Sequence, residues 1–157
     1  MIDAPHLLEV VGQPAAAIHL AVGCDEMKSV MGPAMREVLA ALAAQGLRPG
    51  GPMFAHHLRV PGERFDFEVG VPVAGPLLPK GRVMPSRLPA GRIARTVYRG
   101  PYAGLGAAWS QFMTWLEEQG LKPGPTFWES YQAGPESGTD PSQWRTELNR
   151  TLLEPVR

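Results

Sequence analysis

Gln45-Gly46-Leu47-Arg48-Pro49-Gly50 returns later in the chain as Gln119-Gly120-Leu121-Lys122-Pro123-Gly124. The offset is 119 − 45 = 74 positions, and the two hexapeptides differ only as Arg48 for Lys122. A glycine just past a periodic apolar segment stops a helix, and the Pro-Gly that follows turns the chain toward a new element. The repeat is therefore a helix exit, and it predicts an internal duplication of whatever surrounds it.

Working outward, both copies follow a helical stripe. Met27, Met31, Ala34, Met35, Val38, Leu39 and Leu42 recur at three- and four-residue spacing, as do Leu105, Ala108, Trp109, Phe112, Met113 and Leu116. Pro33 suits only a first turn, so the regular first helix is predicted over about 33–45, with any earlier turn kinked. The second helix is predicted over 102–119. Extended segments are predicted at 6–11, 16–22, 53–59, 65–73, 91–98, 126–132 and 144–153. Gly12-Gln13-Pro14, Pro61-Gly62-Glu63 and Arg99-Gly100-Pro101 read as turns, and 133–142 as a polar loop. Residues 75–89 hold four prolines and two glycines and read as a connector with little regular structure.

The fold class that follows is α+β, with two tandem β-α-β-β modules of antiparallel sheet and helix related by a pseudo-twofold axis. Module one covers about 5–74, the connector 75–89 and module two about 90–157, in one domain spanning 1–157. Neither half is large enough to bury its sheet face alone, so the halves pack together and leave a central groove between them.

Composition removes several function classes. The chain has 157 residues, of which 44% are apolar and 19% charged, as in a folded globular domain. Lys plus Arg and Asp plus Glu both total 15, which argues against direct nucleic-acid binding. Cys24 is the only cysteine, so no intramolecular disulfide forms, and a lone cysteine argues against a cysteine-based zinc site. The start lacks a signal peptide's pattern, and no apolar run reaches the ~20 residues of a membrane span. The expected location is the cytoplasm, without membrane association.

Chemistry concentrates in Thr126-Phe127-Trp128-Glu129-Ser130-Tyr131-Gln132. Side chains alternate along a strand, so Phe127, Glu129 and Tyr131 share one face. An acid held among aromatics loses solvation, which a hydrogen bond, a proton or a cation must offset. The 74-residue offset matches Phe54 to Trp128, Ala55 to Glu129 and His57 to Tyr131, so Ala55 and His57 should face the same groove. Trp109 on its helical stripe and Tyr102 at the helix start are further candidates to line it. Glu68 lies on the polar side of its strand and reads as solvated. His6, His19 and His56 lack metal-ligand spacing, and His56-His57 point to opposite faces of one strand, so no metal is expected. Ser110 and Ser130 lack a nucleophile context, the glycines lack phosphate-loop spacing, and no cofactor is expected.

Arg99-Gly100-Pro101-Tyr102 after a strand, then Leu105, Trp109 and Trp115-Leu116, then Trp128-Glu129-Ser130-Tyr131, and last Arg145-Thr146-Glu147-Leu148, resemble the gyrase-inhibitor-like (GyrI-like) small-molecule-binding family. The effector-binding domains of AraC-type and MerR-type multidrug regulators belong to that family. The first half resembles it through Gly51-Pro52-Met53-Phe54-Ala55 and Asp66-Phe67-Glu68-Val69-Gly70-Val71-Pro72-Val73. The resemblance implies tandem SHS2-like modules around a groove whose acid, here Glu129, receives cationic or aromatic ligands beside a strand tyrosine, here Tyr131. Many relatives carry a tyrosine where this chain has His57.

Three functions follow as expectations. The first is a stand-alone protein that binds hydrophobic, cationic or aromatic small molecules, as in multidrug or xenobiotic sequestration, with Glu129 as anchor. The second is a hydrolase opening strained cyclopropane-containing electrophiles, with Glu129 as general acid or base and Tyr131 as its partner, since some relatives resemble such enzymes. The third is a module restraining a topoisomerase, which the balanced charge does not favour.

Overall fold

A computed structural model of the chain describes residues 2–23, 26–58, 64–133 and 140–153. Cys24, Arg59, the turn at Pro61-Gly62-Glu63 and part of the polar loop lie outside the described residues. The elements in order are β1 (His6–Val10), β2 (Gln13–Gly23), α1 (Met27–Ala44), β3 (Phe54–His57), β4 (Arg64–Pro72) and β5 (Met84–Leu88). They continue with β6 (Gly91–Arg99), α2 (Leu105–Glu118), β7 (Pro123–Ala133) and β8 (Arg145–Leu152). All strands join one antiparallel sheet in the order β1-β6-β8-β7-β3-β4-β2-β5.

That order reads the same in both halves. From the centre outward, one side runs β7-β8-β6 and the other β3-β4-β2, while β1 caps β6 and β5 caps β2. At the central seam Ala55 pairs with Glu129, flanked by Phe54 with Ser130 and His56 with Trp128. Adding 74 to 54 gives 128 and adding 74 to 56 gives 130, so a twofold at the Ala55–Glu129 pair exchanges the two flanking pairs.

The sheet cannot be flat. In the strand order β1 and β2 are six places apart, as are β6 and β5, a span of about 29 Å in a flat sheet. Each pair is joined through two residues, Val11-Gly12 and Pro89-Ala90, whose three Cα–Cα steps reach at most about 11 Å. The sheet therefore curls until its edges approach. Leu8 and Val10 of β1 accordingly share a core cluster with Ala15, Ala17, Leu88, Phe54, Ile93 and Trp128.

Both helices lie on the other face. Ala34, Met35, Val38 and Leu42 of α1 pack on Ile18, Phe67, Val69 and Val71, while Ala108, Phe112 and Leu116 of α2 pack on Ala94, Tyr98 and Leu148. Each helix ends on a glycine of positive φ, Gly46 at 69° and Gly120 at 70°. Beyond each, a leucine N–H closes back on the helix, Leu47 to the Leu42 carbonyl at 2.9 Å and Leu121 to Leu116 at 3.0 Å. The repeated hexapeptide is thus the same helix exit built twice.

Three sequence expectations need correction. The stretch 75–89 contains strand β5, with Pro85 inside it; an edge strand tolerates a proline because that N–H faces away from the ladder. Helix α1 begins at Met27 and runs through Pro33, which forfeits one backbone bond while the apolar stripe beyond it stays packed on the sheet. Gln13 and Pro14, read as turn residues, already pair with Leu88 and Arg87 in the ladder.

Candidate functional site

Strand β7 positions the site. Ladder pairing on both sides, with β3 and β8, makes it a central strand, and its Phe127, Glu129 and Tyr131 point to the helix-bearing face. Glu129 is only 8% exposed. Its Oε2 accepts from the Trp109 indole N–H at 2.7 Å and its Oε1 from the Tyr131 hydroxyl at 2.8 Å. Burial pushes the Glu129 carboxyl above its ordinary range, and the two donors only partly offset that. The Tyr131 phenol is raised too, first by burial and then by the adjacent carboxylate.

Aromatic rings enclose this acid. Trp109 meets Phe127 edge-on at 4.8 Å, and Tyr102 meets Tyr131 at 5.8 Å and Trp144 at 4.9 Å. His57 stacks on Phe127 at 4.6 Å with 10° between planes, and on Phe67 at 5.3 Å. Burial, then the neighbouring His56, lowers the His57 pKa to about 4, and its Nδ1 has no hydrogen-bond partner. His57 therefore serves as a neutral ring in an aromatic stack at neutral pH.

Of the sequence candidates, Glu129, Tyr131, Trp109, Tyr102 and Phe127 come together around the carboxylate. Ala55 lies directly across the seam from Glu129 and is fully buried in the core cluster under α1. His57 is opposite Phe127 and not Tyr131. Residues equivalent under a twofold sit on opposite ends of the antiparallel seam, so matching by offset does not make them neighbours. Glu68 is half-buried and accepts from the Ser86 hydroxyl.

Sequence reasoning missed several neighbours. A cavity of about 410 Å³ lies beside Tyr131, lined by Met35, Leu39, Met53, Val71 and Gln132 among others. Tyr131 is the wall shared by this cavity and the acid, whereas Trp109 covers the acid from α2. Arg150 was also missed. It is buried on the same sheet face, its guanidinium 5.3 Å from the Phe127 ring, and it donates to the Gly124 carbonyl at 2.8 and 3.1 Å. Among the described residues Glu129 has no cationic partner, and no three His, Cys, Asp or Glu side chains are placed to hold a metal.

The chain's likeness to known proteins bears on this site. The GyrI-like small molecule binding domain matches residues 4–149. The transcription complex of EcmrR with DNA contains a chain 23% identical, with a TM-score of 0.80; the alignment covers 95% of this chain and 57% of that one. The isolated EcmrR C-terminal domain is 21% identical at TM-score 0.84, covering 96% and 98%. A hydrolase from Listeria innocua is 12% identical at TM-score 0.63, covering 95% and 91%. SAV2435 bound to tetraphenylphosphonium is 11% identical at TM-score 0.62, covering 96% and 94%. At these identities the solved structures share the fold alone, and no curated protein matches the chain. With 146 of its 157 residues (4–149) matched, the chain belongs to the GyrI-like small-molecule-binding family.

Proposed function

We propose that the protein binds hydrophobic cations on the helix-bearing face of its sheet, with Glu129 as counter-charge. The observation that carries this reading is the carboxylate itself. It is buried among aromatic rings, its pKa is raised, and neutral donors are its only described partners. A buried ionised acid without a cation is costly, and a bound cation removes that cost. Rings around it add cation–π attraction of roughly 0.5–2 kcal/mol each. Met35, Met53 and Leu39 give the adjoining cavity adaptable apolar walls, which suits ligands of varied shape. A ligand entering there reaches Glu129 once Tyr131 turns aside. The bound lipophilic cation of SAV2435 supports the same class. We read the two halves as copies of one module, about 5–74 and 90–157, with the acid kept in only one.

Calorimetric titration with tetraphenylphosphonium tests this. Binding is expected to weaken several-fold or more in Glu129→Gln; unchanged affinity in that variant sinks the charge-anchor reading. A second reading, hydrolysis of strained cyclopropane electrophiles, draws on the raised pKa, since burial that favours the protonated carboxyl suits a general acid. Ring opening above the buffer rate, removed by Glu129→Gln and retained in a surface variant, would favour it.

A further inference from the structure

We propose that the helix-free side of the sheet carries a second binding site, for a small organic carboxylate with an apolar body, anchored by Arg95. Strand β7 presents Glu129 and Tyr131 to one face and Trp128, Ser130 and Gln132 to the other. On that other face lies a cavity of about 480 Å³, lined by Trp128, Ser130, Gln132, Arg95, Glu147 and the apolar residues of the β1–β2 and β5–β6 corners. The short connections that curl the sheet bring Val10, Leu88 and Pro89 over this floor, so the cavity is a consequence of the topology.

Three side chains that line it have unpartnered groups able to donate: Arg95, Trp128 and Ser130. Glu147 is already held by Arg95 Nε at 3.3 Å, Asn149 at 3.1 Å and Gln132 at 2.9 Å. Arg95 Nε also donates to Asn149 Oδ1 at 2.7 Å, which fixes the guanidinium. Its two Nη groups make no hydrogen bond among the described residues. Trp128 is 3% exposed and Ser130 7%, and neither side chain has a described hydrogen-bond partner. A guanidinium edge, an indole N–H and a hydroxyl lining one cavity are complementary to a carboxylate. Val10, Val11, Leu88 and the Trp128 ring supply apolar contact for the rest of such a molecule. Glu9 stands exposed at the rim, where water screens its repulsion and where it selects against a second negative charge.

Titration of ¹⁵N-labelled protein with phenylacetate, indole-3-acetate and hexanoate, each against its neutral amide, tests this. The readout is the Trp128 indole N–H resonance, assigned with Trp128→Phe. The acids are expected to shift it at millimolar concentration and the amides not. Arg95→Gln should weaken binding about tenfold or more, as expected for a lost charge-assisted pair. Ser130→Ala, which removes a hydroxyl with no protein partner, should weaken it several-fold without lowering Tm. Glu9→Gln should strengthen it, and Glu129→Gln should leave it unchanged, which separates this site from the groove. The proposal is overturned if no acid moves the Trp128 signal, if the amides move it equally, or if Glu129→Gln abolishes the effect.

Discussion

Two buried titratable residues on the helix-bearing face make opposite contributions to stability against pH. His57 is held near pKa 4, below the 6.5 of an unperturbed imidazole. Between those values the unfolded chain binds a proton that the folded chain refuses, so stability falls as pH drops through that window, by about 3 kcal/mol at most. A His57→Phe variant, which keeps the stacked ring, should lose this dependence in Tm measured from pH 7 to pH 4. Glu129 has the reverse sign. Its folded pKa is raised, so the folded chain keeps a proton that the unfolded chain has released, and stability declines as pH rises through that interval. The Tm difference of Glu129→Gln relative to the parent should therefore shift in the variant's favour as pH rises from acid to neutral. A variant more stable but poorer in cation binding is the signature of an acid kept for function. Trp109 offers a third measurement. If a cation displaces its indole from Glu129, ligand-induced change in tryptophan fluorescence should be strongly reduced in Trp109→Phe.

At the scale of elements, the glycines at two kinds of position are decisive. Gly46 and Gly120 sit in the left-handed region that ends each helix. Alanine at either should cost about 1–2 kcal/mol, visible as a lower denaturant midpoint. Gly70 is different. A Cβ there would lie 2.0 Å from the Ala16 carbonyl oxygen and 2.9 Å from the Ala17 Cα. The clash is with backbone of the neighbouring strand, so Gly70→Ala should cost more than either cap glycine in urea unfolding. The hexapeptide repeat made the helix exits legible because φ and hydrogen-bond closure there are local. Strand β5 was illegible for the opposite reason, since its proline-rich sequence carries a strand only through pairing with β2.

At the scale of the molecule, the first strand belongs to the far half. β1 covers the edge of β6, while Ile2 bridges to Tyr98 and the Asp3 N–H donates to the Val97 carbonyl. Removing residues 1–11 should leave β6 as an open edge and uncover Ile93 and Trp128. The expected result is loss of the cooperative transition or self-association, read by thermal unfolding and size-exclusion chromatography. The chain is thereby interlocked, with β1 from the first half covering β6 and β5 from the connecting stretch covering β2.

The sequence by itself determined the helix exits, the alternation that puts Phe127, Glu129 and Tyr131 on one face, and the family. These depend on local dihedrals, period-two geometry and the order of motifs, all written in contiguous residues. Only the tertiary structure decided that Glu129 is covered by Trp109, that His57 stacks on Phe127 and stays neutral, and that Arg150 is buried on the same face. It alone placed Trp128, Ser130 and Arg95 around one cavity. Those outcomes depend on which strands meet across the curled sheet, and that register is fixed by long-range pairing and burial rather than by any one stretch of chain.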